Sequence, residues 1–380
     1  MSSTGAENKG PARRKPLLAW IAPLTAAALA VGGGVFANNT ASAEPPLPKK
    51  TAQQLLTGVA GANVPGLSGT VTETANLGLP SLPTGGQGGP TSSSDFSDLL
   101  SGTHTLKVWT SGTDKSRVAM LGTYGESDLI RNGKQAWLWS SKEKKAVHSR
   151  FVGVTPDWQR PGEPAGPAST PQEMARQVLK AIDPSTTTTV ARNVTVAGRS
   201  AYQLVLTPKD SRSLVDTVTI AVDARTSVPL QVQVTADGQT KPAISVGFTT
   251  VDFSVPDAKT FVFDPPQGTK VTEHTVTAPD KRDRTDARKQ ADKLASRTKT
   301  VGTGWTTVVI TKADKKTGAD RSMPGRAGND PMVQALPRVS GSWGSGRLLS
   351  GALFSAVITD DGRVAVGAVR PQLLYSALQK

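Results

Sequence analysis

From residue 190 to 263 the chain alternates apolar and polar positions almost without a break. Tyr202, Leu204 and Leu206 alternate with Ala201, Gln203 and Val205, and Val218, Ile220 and Val222 with Thr217, Thr219 and Ala221. Leu230, Val232 and Val234 alternate with Gln231, Gln233 and Thr235, and Ile244, Val246 and Phe248 with Ser245, Gly247 and Thr249. A period of two sends successive side chains to opposite sides of a strand. The pattern therefore predicts four consecutive strands with one apolar and one wet face, an antiparallel meander, with a tight hairpin at Asp237-Gly238. Further strands are predicted at 67–75, 105–110, 117–124, 127–131 and 135–140. Asn132-Gly133 reads as a hairpin turn whose two central positions need positive φ, and Trp137 and Trp139 share one face of the return strand.

Helical spacing is confined to a few segments. Ala52, Leu55, Leu56 and Val59 form a stripe over 51–62. Thr170 reads as an N-cap, with Pro171 at the first helical position and Glu173 completing a capping box. Met174, Val178, Leu179 and Ile182 then share a face, and Asp183-Pro184 ends the helix. These two stripes are the available covers for the apolar face of the sheet, an α+β layer arrangement. Residues 77–93 and 155–169, rich in Gly, Pro and Ser, read as loops. From 301 onward a small second unit is predicted, with strands at 305–311, 348–359 and 363–369. An Asp361-Gly362 turn and a closing helix at 371–378, with Leu374 and Leu378 on one face, complete it.

The N-terminus changes the setting. Lys9, Arg13, Arg14 and Lys15 precede an apolar run from Leu17 to Phe36, and Ala41-Ser42-Ala43 follows. Basic, apolar, then a small-residue site is the layout of a secretory signal cleaved after Ala43. A run of that length also spans a bilayer, so an uncleaved anchor is the alternative. Either way the rest of the chain is extracytoplasmic, which makes nucleic acid a poor partner for a formal charge of +14. Part of that charge is concentrated between Lys281 and Lys299, where eight basic residues face three acidic ones. That stretch reads as a solvated linker or helix. The sharper alternative is a docking strip for anionic lipid or a partner, with Arg284, Arg288 and Lys289 as its contacts.

Candidate chemistry is sparse. There is no cysteine and only three histidines. Thiol catalysis, thiolate zinc sites and a lipidated N-terminal cysteine are excluded, and a multi-histidine metal site is disfavoured. The nucleophile-elbow, zincin, phosphate-loop and dinucleotide motifs are absent. Ser141-x-x-Lys144 matches a serine–lysine motif only formally, beside a hairpin rather than on a helix. No cofactor or metal is expected, and the expected class is a non-enzyme.

Four stretches carry a resemblance. Residues 128–139 (DLIRNGKQAWLW) resemble the strand, Asn-Gly, Trp-x-Trp hairpin of the outer-membrane lipoprotein carrier (LolA-like) superfamily. Residues 196–208 (VAGRSAYQLVLTP), 219–230 (TIAVDARTSVPL) and the pair 248–253 (FTTVDF) and 261–268 (FVFDPPQG) resemble its later strands and corners in the same order. The resemblance implies a half-open antiparallel β-barrel with a helical lid over 44–272. A basic linker or helix follows at 273–300, then a small C-terminal α+β domain at 301–380. It also implies non-catalytic binding of lipid or lipoprotein acyl chains on the concave face. The wall is then expected from Leu204, Leu206, Val218, Ile220, Val222, Val232, Val234, Val246 and Phe248. Trp137 and Trp139 are expected at its edge, and Met174, Val178 and Leu179 on the lid. From periodicity alone the same face reads as ordinary core. The two-unit layout also resembles RseB/MucB-like regulators of envelope-stress sigma factors, which implies an anti-sigma factor as the alternative partner.

Overall fold

The computed structural model describes residues 47–78, 101–122, 125–155, 184–277, 285, 288–289, 292–312 and 331–379. The leader, most of the two predicted loops and the helix at 170–183 lie outside the described residues. So do Met174, Val178, Leu179 and Arg284.

The helix α1 (Ala52–Gly61) is capped by Thr51, whose hydroxyl accepts from the Gln54 amide while the Gln54 side chain accepts from the Thr51 amide. This reciprocal box satisfies two donors that a helix start otherwise leaves bare. Leu55 and Val59 from the predicted stripe are its buried face.

Among the described residues, thirteen strands form one curved, open sheet. Its first run is β1 (Gly66–Ala75), β2 (Gly102–Ser111), β3 (Lys115–Gly122), β4 (Gly125–Asn132), β5 (Gln135–Ser140) and β6 (Lys145–Val152). After the short β7 (Thr186–Val190) and β8 (Val194–Val196) come β9 (Arg199–Pro208), β10 (Val215–Asp223), β11 (Pro229–Ala236) and β12 (Pro242–Asp252). With β13 (Lys270–Thr277) at its edge, the sheet runs β13-β6-β5-β4-β3-β2-β1-β12-β11-β10-β9-β7, with β8 beside β9. The meander predicted from residue 190 onward is β9 to β12, and it joins the first run through antiparallel β1–β12 pairing.

Two details depart from expectation. The β4–β5 loop consists of Gly133 and Lys134, since Asn132 pairs with Gln135, and only Gly133 takes positive φ. The sheet is also not wholly antiparallel. β13 (Lys270–Thr277) lies parallel to β6 at the edge of the large sheet, within what the sequence pattern assigns partly to a linker. A parallel neighbour needs a crossover rather than a hairpin. Residues 253–269 supply it, including a turn of 3-10 helix at Ala258–Phe261.

The second sheet has the order β14-β15-β19-β18-β17-β16. Its strands are β14 (Thr298–Val301), β15 (Val308–Lys312), β16 (Arg338–Gly341), β17 (Gly344–Ser350), β18 (Ser355–Thr359) and β19 (Arg363–Gly367). The closing helix α2 (Pro371–Leu378) packs Leu374 and Leu378 on it. The single strand predicted at 348–359 is two strands. The main chain turns back at Gly351–Phe354, which frees Leu353 (1% exposed) to enter the core of the large sheet.

The two sheets are stitched by backbone as well as side chains. Leu214 N–H donates to Ala368 O (2.8 Å), Ala352 N–H donates to Leu77 O (2.6 Å), and Ser213 bridges Val369. Trp305 Nε1–H donates to Thr186 Oγ1 (2.8 Å), and Arg370 pairs with Asp237. Trp305→Phe removes the donor together with part of the indole packed on the large-sheet core, leaving one neutral hydrogen bond unmade. A loss of about 1 kcal/mol is expected by urea denaturation; an unchanged midpoint would show that this contact adds nothing to the junction.

Candidate functional site

Strand registers decide which side chains share a face. Leu206, Val218, Val234 and Ile244 lie in one cross-strand row, and Leu204, Ile220, Val232 and Val246 lie in the next. Across the β12–β1 boundary, Phe248 stands opposite Val71 and Val71 opposite Leu106, which is opposite Met120. A parallel row runs Gly69, Val108, Val118, Leu129, Leu138, Val147. Together these residues make one inner face from β9 to β6, with α1 against its β7–β9 end.

The nine predicted wall residues, Leu204, Leu206, Val218, Ile220, Val222, Val232, Val234, Val246 and Phe248, all stand on this face. All are buried in one cluster with Leu55, Val59 and Leu353. Burial is uneven along the sheet. Val108 and Val118 are buried, Leu129 and Val147 are half-buried, and Leu138 is 47% exposed. The β4–β6 flank therefore presents apolar side chains in register, continuous with the core and open to approach.

Trp137 and Trp139 belong to the other face. Trp137 pairs with Ile130 and His148, and Trp139 with Asp128 and Ala146, whereas Leu138 between them points inward. Their expected place at the edge of the wall is corrected by this register. They belong to a small outer-face core under the 253–269 crossover. Phe263 lies 5.2 Å from Trp137 and 5.7 Å from Trp139, ring centre to ring centre. Phe261, fully buried, lies against β3 and β4, and its carbonyl accepts from Asn132 Nδ2. His148 is stacked on Trp137 at 3.9 Å, and its ring nitrogens meet Glu273 and Gln135. This histidine links β13 to the sheet through Glu273.

Two carboxylates on the large sheet have opposite environments. Asp223, 1% exposed, ends β10 and accepts from the Arg199 guanidinium, from the backbone N–H of Arg225 and Thr226, and from the Thr226 hydroxyl. Burial pushes its pKa up, but the Arg199 and Thr226 hydrogen bonds outweigh that and hold it below the ordinary value. Glu73 is the reverse. It lies on the inner face of β1, opposite Val246 and His104, fully buried, with neither carboxyl oxygen hydrogen-bonded among the described residues. Burial alone pushes its pKa up to about 9. The period of β1 offers the signal that marks it: Leu67, Val71 and Ala75 share a parity, and Glu73 falls in line with them.

Of the basic strip, Arg288 and Lys289 are exposed on helical residues. Among the described residues no group of three or more metal-ligating side chains is assembled. No helix among them is long and apolar enough to cross a membrane.

No protein-family model matches the chain, and no curated protein matches it. Among solved structures it is similar to MucB in its complex with MucA from Pseudomonas aeruginosa (15% identity, TM-score 0.40), over 86% of this chain and 96% of that one. It is also similar to a LolA superfamily protein from Nitrosomonas europaea (14% identity, TM-score 0.20), over 57% of this chain and 99% of that one. A third similarity is to an uncharacterized conserved protein from Thermus thermophilus (10% identity, TM-score 0.33), over 59% and 99%. Both families that the sequence motifs resemble are thus met again among solved structures. At these scores the likenesses bear no weight on ligand or partner.

Proposed function

We propose that this chain is an exported, non-catalytic carrier that holds the acyl chains of a lipid or lipoprotein on the inner face of its large sheet. The observation that supports this reading most is the extended, largely apolar inner face. It passes from the buried wall of β9–β12 to the half-open flank of Leu129, Leu138 and Val147. Each methylene moved from water onto such a face contributes about 0.8 kcal/mol, so a short stretch of chain suffices for micromolar affinity. An accessible apolar row joined to a core is also what a folded chain without a ligand would bury. The nine wall residues, with Met174, Val178 and Leu179 from the segment at 170–183, are the proposed contacts. Trp137 and Trp139 support the wall from behind.

Native mass spectrometry of the exported chain is expected to show a co-purified lipid, and delipidated protein to rebind a fluorescent fatty acid. Leu138→Asp places a charge on the exposed flank without entering the core. It is expected to weaken that binding about tenfold or more while leaving the melting temperature nearly unchanged. Full-strength binding by this variant, or delipidated protein that binds nothing, would overturn the reading.

A second reading, a regulator that contacts a membrane-bound anti-sigma factor, is supported by the backbone stitching of the second sheet to the first. A sheet docked in this way transmits a change at the inner face to a partner surface. Arg288 and Lys289, with Arg284, are its proposed contacts. Recovery of a single-pass membrane protein on the chain, lost on charge reversal at these positions, is the expected result.

A further inference from the structure

We propose that Glu73 is the polar recognition point of the inner face, donating a hydrogen bond from its protonated carboxyl to the carbonyl oxygen of a lipid acyl ester. This rests on the acyl-chain reading of that face and names what the face recognises besides hydrocarbon.

The geometry is unusual for a carboxyl group. Glu73 stands in a cross-strand row with Val246 and His104, two residue pairs along from Val71 and Phe248 on the same face. It has no exposed surface, and among the described residues both oxygens lack a partner. Buried side-chain polar atoms in folded proteins are overwhelmingly hydrogen-bonded, and an exception asks for a reason. Here the carboxyl is surrounded by the apolar wall itself. With its water removed it is held neutral, and a neutral carboxyl is a donor as well as an acceptor. On the side away from Val71 the strands carry small residues. Ala75 is opposite Gly102, and Gly122 is opposite Gly125 where β3 meets β4. Ala75 also faces Ile244 of β12, so the small residues lie on the β2–β4 side.

The chemistry selects the partner group. A cationic head group would need Glu73 ionised in a place that has stripped its water, and would approach a chain whose formal charge is +14. An acyl ester instead carries an uncharged acceptor at the end of the same hydrocarbon chain that the wall holds. One ligand then satisfies both the apolar row and the orphaned donor. A buried donor whose ligand lacks the acceptor rejects it, which turns a general hydrocarbon surface into a selective one.

The test is a fluorescence titration of the delipidated full chain with the methyl ester of cis-parinaric acid and with the matching methyl ether, in which the carbonyl is a methylene. The wild type is expected to prefer the ester about five- to tenfold, the worth of one hydrogen bond. Glu73→Leu is expected to bind both probes alike. Glu73→Gln, whose amide still donates, is expected to keep the preference within about threefold. Free cis-parinaric acid separates the two sources of a carbonyl: binding weaker than the ester supports a lipid ester, and tighter binding overturns that assignment. A Glu73→Leu protein that keeps the ester preference, or a wild type that binds ester and ether equally, overturns the role of Glu73 and leaves the carrier reading standing. A wild type that binds none of the probes overturns both.

Discussion

Replacing Glu73 with leucine is expected to stabilise the ligand-free protein by about 3 kcal/mol at pH 7. The unfolded chain ionises this carboxyl near its ordinary value of 4.5, whereas the folded protein keeps the proton up to about 9. The folded state therefore holds a proton that unfolding releases. The contribution to stability is unimpaired below pH 4.5. It falls as pH rises, by up to about 1.4 kcal/mol per pH unit, until the folded group itself ionises. Leucine removes both the ionisable group and the orphaned oxygens, and its side chain suits the surrounding valines and phenylalanine. Urea denaturation of both proteins at pH 5, 7 and 8.5 measures this directly. The gap between them should be small at pH 5 and widen steadily toward pH 8.5. Parallel stability profiles would show that Glu73 is hydrated in solution. A protein that keeps so costly a residue at the centre of its wall is trading stability for something, and the ester-binding test asks what.

The second large effect has the opposite sign. Asp223→Ala is expected to cost about 3 to 5 kcal/mol. The carboxylate gathers the Arg199 fork, two backbone N–H groups and the Thr226 hydroxyl into the corner between β10 and β11. Removing it leaves those donors facing a site that is 1% exposed. Arg199 also lies 4.7 Å from the centre of the Phe253 ring. Its release therefore loosens the start of the crossover as well. Because the folded pKa is depressed, the stabilisation by Asp223 is present above the unfolded value of 3.8 and is lost as pH falls through the folded value. Asp223→Asn, which keeps the shape and loses the charge, should fall about midway. Denaturant midpoints at pH 7 and pH 3 check both points. The deficit of the alanine variant should shrink in acid, and a constant deficit would mean that shape rather than charge is what matters.

The parts of the fold that are legible in the sequence are those where one face is buried and the other wet. β9 to β12 are of this kind, and Leu204, Ile220, Val232 and Val246 fall on the predicted side. β6 is harder to read. Ala146, His148 and Phe151 are buried and Val147 between them is half-buried, so they show no clean parity. The tryptophans are ambiguous for a related reason, apolar residues on both sides of one strand. Trp137, Leu138 and Trp139 are all apolar, and only the pairing with β4 tells which side each one takes. β13 has no local signal, because a parallel strand is joined by no turn and its Thr, Glu and His residues are mostly exposed at the sheet edge. Glu73 was within reach. A carboxylate in parity with Leu67, Val71 and Ala75 is a conflict between pattern and chemistry, and such conflicts concentrate where a protein has something other than stability to achieve.

The crossover has a mechanical consequence. It leaves the middle of the large sheet at β12 and re-enters beyond its edge at β13, seven strand positions away. At about 4.8 Å per strand that span is about 34 Å, and the seventeen residues from 253 to 269 reach about 58 Å at most. The segment behaves as a belt around the outside of the curve, with slack taken up where Phe261 and Phe263 dip against the strands. The belt bounds how far β4–β6 can stand from β12 around the curve. Phe253 at its start packs against the inner-face core, while Phe261 and Phe263 hold its far part to the outer face, so one segment ties the two faces of the sheet together.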